Sequence, residues 1–134
     1  MKIGAFIPQG WRMDLNGIDK NDQWQTILDA ANKIEALNYE SIWVYDHFHT
    51  VPKPTQDPTF ECWTLMSALS QTTEKVRLGQ MCTCNSYRNP SYLTKVASNI
   101  DVMSGGDWNM QLEQVGMITS TRHMDMIILQ LVSD

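Results

Sequence analysis

The sequence predicts an α/β fold: a parallel sheet assembled from three consecutive strand–helix units. Two observations carry that prediction. Short apolar runs recur near 2–7, 41–45 and 76–82, and each is followed by a longer stretch of helical periodicity. Prolines, glycines and capping residues punctuate the boundaries. Strands joined through helices run parallel with right-handed crossovers. Both an open doubly wound sheet and a slice of a (β/α)8 barrel fit the pattern.

The first run contains Ile3, Ala5, Phe6 and Ile7 and stops at Pro8-Gln9-Gly10, as a buried strand should. Residues 9–21 hold two glycines and no sustained period, so they read as a long loop. The first helix is expected over 22–37, where Trp24, Ile27, Leu28, Ala31 and Ile34 share one face. Asn21 or Asp22 suits its cap, and Asn38 suits a left-handed C-terminal position. Ser41-Ile42-Trp43-Val44-Tyr45 forms the second strand, and the proline-rich stretch 46–58 is a loop. Thr59 is expected to cap a second helix over 60–71, with Phe60, Trp63, Leu65, Met66 and Leu69 inward. After the third strand, Asn89 and Pro90 fit the cap and first turn of a helix over 90–103, ended by Ser104-Gly105-Gly106.

Composition narrows the function classes. The chain has 134 residues, 43% of them hydrophobic, enough for one modest core. A net charge of −5 leaves no basic surplus for tracking phosphates, so no nucleic-acid partner is expected. No apolar run reaches membrane-spanning length, and Pro8 interrupts the N-terminal run before it resembles a signal peptide. Cys62, Cys82 and Cys84 are odd in number and lack zinc-like pairing, which suits a reducing cytoplasm and predicts no metal.

Four stretches carry a family resemblance: KIGAFIPQGW with Trp11, ESIWVYDHFHTVP at 40–52, RLGQMCTCNSYRNP at 77–90, and DVMSGG at 101–106. Together they resemble the start of the luciferase-like monooxygenase superfamily, in particular its oxidoreductases using the deazaflavin coenzyme F420. The resemblance implies a (β/α)8 barrel, with the cofactor at the C-terminal ends of the strands. It also implies that Asp46 and His47 meet the cofactor ring, the histidine in acid–base work. Loop capping is the alternative for Asp46. A non-proline cis peptide at Met81–Cys82 is implied too, with Met81, Cys82, Thr83 and Asn85 backing the cofactor. Cys82 and Cys84 otherwise read as small buried hydrophobes, and Cys62 as packing. His49 reads as loop surface. Tyr87, Arg88 and Asn89 could meet phosphate or substrate in a whole barrel, although Arg88 equally fits an ordinary loop charge. Trp11 and Trp63 suit either a substrate mouth or the core.

Beyond Gly106 the family pattern stops. Residues 107–134 contain four methionines, one glycine and no proline. Back-translation with regrouped bases, starting at the third base of the Gly106 codon, permits RLEHAAGAGWYDHEYQAYGYDYPPAGER, which resembles what the family has next. The family often follows with Leu, and a CTG codon followed by A would give a TGA stop in the shifted frame directly after Asp134. The expectation is a parent gene with one base lost near Gly106, giving a partial barrel at 1–106 and a foreign tail at 107–134. The tail's alternation at Trp108, Met110 and Leu112 suits a short strand in place of the lost fourth one, and 124–132 suits a strand or a helix. His123 has no inherited role and reads as surface.

Two functions follow from that expectation. One is a non-catalytic fragment that binds no cofactor and self-associates as a homodimer or a tetramer of dimers, with 108–132 in the interface, or flattens into a rearranged open sandwich. The other is a residual oxidoreductase that binds F420 or flavin mononucleotide (FMN) only as an oligomer. In either case Asp46 and His47 are expected at a solvent-exposed rim.

Overall fold

The computed structural model describes residues 2–84, 87–105 and 111–112. Four strands and three helices alternate: β1 (Gly4–Phe6), α1 (Lys20–Ala36), β2 (Ser41–Val44), α2 (Cys62–Leu69), β3 (Arg77–Gln80), α3 (Pro90–Met103) and β4 (Gln111–Leu112). All neighbours are parallel and the sheet order is β1-β2-β3-β4. A doubly wound sheet reverses its order at a switch point; this one advances in a single direction. Burial is one-sided as well. Ile7, Ile42, Val44, Val76 and Leu78 pack with Ile27 and Ala31 of α1, with Leu65, Met66 and Leu69 of α2, and with Ile100 of α3. The arrangement is that of the first units of a (β/α)8 barrel.

The helix starts differ from the sequence expectation in instructive ways. Helix α1 begins two residues early because Asp19, not Asn21 or Asp22, accepts the Asn21 N–H at 2.9 Å. Helix α2 is shorter than expected, and its cap is Glu61 rather than Thr59. Residues 58–60 stay extended because Phe60 N–H donates to Gln9 O at 2.9 Å while Phe60 O accepts from Gln9 Nε2 at 2.7 Å. Helix α3 follows expectation: Asn89 caps it and Pro90 opens it. Asn38 is left-handed at φ 56°, also as expected.

The opposite face of the sheet carries Gly4, Phe6, Ser41, Trp43 and Gly79, by the period-two alternation of strands. A Cβ on Gly79 would come within 2.8 Å of the Trp43 ring, and one on Gly4 within 2.5 Å of Trp43 Nε1. The indole therefore lies across its neighbouring strands, with Nε1 donating to Ser41 Oγ at 2.8 Å. Strand β4 pairs with β3 at Gly79↔Gln111 and Gln80↔Leu112, so a short fourth strand forms as the alternation suggested. The remainder of 107–134, including 124–132 and His123, lies outside the described residues. Among the described residues, no helix is long and apolar enough to cross a membrane.

One carboxylate locks the approach to β3. Glu35 Oε1 accepts three consecutive backbone N–H groups, from Glu74, Lys75 and Val76, at 2.9, 2.5 and 3.0 Å. Desolvation pushes its pKa up, but the three amides and the Lys75 charge outweigh it and hold the carboxyl below its ordinary value. A depressed carboxylate stabilises the fold above its unfolded pKa and loses that contribution as pH falls through the folded one. Glu35→Gln should therefore cost about 1 kcal/mol at neutral pH and flatten the acid limb of a stability–pH curve measured by urea unfolding.

Candidate active-site rim

Gln9 ties the loop after β1 to the end of β2 and to the approach to α2. Its Nε2 donates to Tyr45 O and Phe60 O, each at 2.7 Å, and its Oε1 accepts from Tyr45 N–H at 2.8 Å. The side chain is buried with all three of these bonds made. Asp14 fixes the adjoining turn by accepting from Gln9 N–H and Gly10 N–H, both at 2.9 Å. Gly10 has φ +92°, and a Cβ there would meet Pro58 O at 2.1 Å. Only glycine fits that backbone. The Trp11 carbonyl then accepts from Val51 N–H at 2.9 Å, closing the first loop onto the second.

These ties bring an aromatic row together. Phe6 stacks on Tyr45 with centroids 4.4 Å apart, and Trp11 stacks on His47 at 4.2 Å and 7°. Trp11 also leans on Tyr45 at 4.3 Å. Burial lowers the His47 pKa, and the nearby Asp46 charge only partly offsets it. The imidazole is accordingly neutral at pH 7. Two polar atoms near the strand ends, Trp11 Nε1 and Thr83 Oγ1, are buried and make no hydrogen bond. The peptide bond Met81–Cys82 is cis, as the resemblance implied. Met81, Cys82, Thr83 and Cys84 are all half-buried, so Cys82 and Cys84 are not the buried hydrophobes expected. Asn85 lies outside the described residues.

Asp46 is not at an exposed rim, and this corrects the expectation. Residues 42, 44 and 46 share the helix-facing side of β2, so the Asp46 side chain turns behind the sheet and is 0% exposed. Its partner is Arg88, which joins it through a two-pronged contact, Nη1 to Oδ2 at 2.6 Å and Nη2 to Oδ1 at 2.7 Å. Arg88 Nη2 also contacts Glu61 Oε1. Cys84 N–H donates to Asp46 Oδ2 at 2.8 Å. The Cys62 thiol lies 3.2 Å from both Asp46 Oδ1 and Gln80 Oε1, with one proton to donate.

The titration logic of this cluster is consistent. Desolvation pushes the Asp46 and Glu61 carboxyls up, but Arg88 and backbone amides hold both below their ordinary values. Burial and the two carboxylates drive the Cys62 thiol far up, so it is an inert thiol and a proton donor. Burial works against the Arg88 charge, and Asp46 and Glu61 more than restore it. Asp46, Glu61 and Cys62 have ligand atoms within 4.8 Å of one another, a spacing suited to a metal. The Arg88 guanidinium already supplies the cation there.

Sequence reading placed Asp46, His47 and the third-strand end at the rim. It missed Gln9, Glu61 and Gln80, and it left Arg88 undecided between ligand contact and loop charge. Trp63 is core, 3% exposed. His49 is exposed, as expected of loop surface.

Parallel strands in sequence order, alternating with helices that pack one face of the sheet, define a (β/α)-barrel segment. Comparison with known families is more specific. The luciferase-like monooxygenase family pattern matches residues 1–108, and the chain belongs to that family. No curated protein matches the chain.

Removing one partner from a buried ion pair leaves an uncompensated charge. Arg88→Ala should lower the unfolding free energy by about 3–5 kcal/mol, measured by denaturant titration. Gly10→Ala should cost about 2 kcal/mol or more through its left-handed backbone and the Pro58 clash.

Proposed function

We propose that this chain is a non-catalytic, self-associating member of its family, descended from an oxidoreductase using coenzyme F420. The observation that carries the reading is the inner face of the sheet, which no helix among the described residues packs. Phe6 is 44% exposed although it sits in a strand. Beside it runs a groove of about 250 Å3 lined by Gly4, Ser41, Trp43, Arg77 and Gly79. In a closed barrel such inward side chains stack in layers contributed by the other strands. The family match stops at residue 108, and the sequence after it has a different pattern. An apolar face of this kind favours association with an identical chain about a twofold axis. The proposed interface includes 108–132, the proposed tail 107–134 being the segment that lies largely outside the described residues. The reading includes no bound F420 or FMN, because the sequence pattern after residue 108 no longer follows the family.

A second reading is residual cofactor binding by an oligomer. It is favoured by the near-parallel Trp11–His47 pair and by the unpartnered Trp11 Nε1 and Thr83 Oγ1, which suit the face and polar edge of a planar ring. When bound, F420 or FMN would supply the hydride chemistry; His47 would meet the ring, and Met81, Cys82, Thr83 and Asn85 would back it.

Light scattering of the full chain at micromolar concentration should report a dimer or tetramer, with no absorbance change on titrating F420 or FMN. A monomer would remove the self-association reading. A saturable spectral shift, lost in Trp11→Ala, would establish the second reading in place of the first.

A further inference from the structure

We propose that Arg88 is the positioning residue of the rim: acting through Asp46, it sets where His47 stands, without itself facing a ligand. The inference holds for the chain as it folds alone, whether or not the rim takes a cofactor. Asp46 and His47 are adjacent just past β2, but their contacts are separate: Asp46 meets Arg88 and Cys62 behind the sheet, and His47 stacks on Trp11. Holding Asp46 behind the sheet therefore determines the backbone that presents His47 in front of it.

The hold is specific in geometry. Arg88 reaches both Asp46 oxygens at 2.6 and 2.7 Å and turns its shared Nη2 to Glu61 as well. Its side chain is 9% exposed and Asp46 is 0% exposed, so water does not loosen the contact. Glu61 is at the same time the cap of α2, and Asn89, next to Arg88, is the cap of α3. One guanidinium thus draws the β2 end to the starts of two helices. Phe48, one residue beyond His47, lies under the guanidinium at 5.7 Å and stacks on Tyr87 at 4.1 Å. His47 is therefore anchored on both flanks, by Asp46 and by Phe48, to the segment carrying Arg88. The planar fork matters here, because a lysine offers a point charge and cannot span two carboxylate oxygens in fixed orientation.

The test reads His47 itself rather than global stability. In the folded full chain, Trp11 stacked at 4.2 Å displaces the imidazole ring-proton signals of His47 by its ring current. His47→Gln assigns those signals, and the exposed His49 serves as the unstacked reference. The double variant Arg88→Met with Asp46→Asn removes both charges together, which buried pairs tolerate far better than loss of one. In that variant, folded by circular dichroism, the His47 signals should move toward those of His49. Signals that stay in place would overturn the proposal. Should the double variant not fold, Arg88→Lys decides it by the same signals. Lysine keeps the charge and loses the fork, so displaced signals support the proposal and unmoved ones overturn it.

Discussion

Asp46 lies out of reach of water at the point where β2 ends, and a carboxylate there is stable only with a cation and amide donors around it. Arg88, Cys84 N–H and the Cys62 thiol supply that shell. The rest of the rim depends on this interaction. Because Arg88 also contacts Glu61, the second and third helices begin where the ion pair requires them to begin. Two carboxylates around one guanidinium leave a net negative charge. The amides of Trp63 and Thr64, which donate to Glu61 at 3.2 and 2.7 Å, place the positive end of α2 against it.

Much of the fold was legible because it rests on local signals. The β2 run, the Asn89–Pro90 start of α3 and the left-handed Asn38 each follow from one residue type meeting one backbone requirement. The start of α2 was not legible for a physical reason. Thr59 is a better intrinsic cap than Glu61, yet the Gln9–Phe60 pairing holds 58–60 extended and moves the helix start downstream. That pairing spans 51 residues, and no short window of sequence around Thr59 contains it. Arg88 is similar. Its neighbours suggest a loop, and only the fold brings it to Asp46, 42 residues away.

The inner face of the sheet follows a different rule from the outer one. Outward-facing Ile42, Val44 and Leu78 are packed by helices and nearly inaccessible. Inward, size alternates instead: glycines at 4 and 79 flank the indole of Trp43, which fills the space that two side chains would need. That small–large–small pattern suits strands that tilt and close around a narrow interior. Phe6 remains 44% exposed on this face, and Trp43 is half-buried. The residues that suit a barrel interior are thus the ones that the outward helices do not pack.

Strand parity also separates two residues that a motif presents as one unit. In the run Asp46-His47, adjacency in sequence suggests a shared role at one site. A strand turns successive side chains to opposite faces, and just past β2 the contacts still diverge, Asp46 meeting Cys62 and Arg88 while His47 meets Trp11. Asp46 therefore joins Ile42 and Val44 on the helix side, where its charge is neutralised by Arg88. His47 joins Trp43 and Tyr45 on the inner side, where burial keeps its ring neutral and Trp11 covers one face. The two are coupled through backbone and field rather than through a hydrogen bond, and Asp46 still draws the His47 pKa upward from behind the sheet. An aspartate that met a ligand would have to leave Arg88 and Glu61 with one another, stranding a buried guanidinium on half its partners. The Asp46 oxygens are committed to Arg88, Cys84 and Cys62, whereas the contact of His47 is the Trp11 ring.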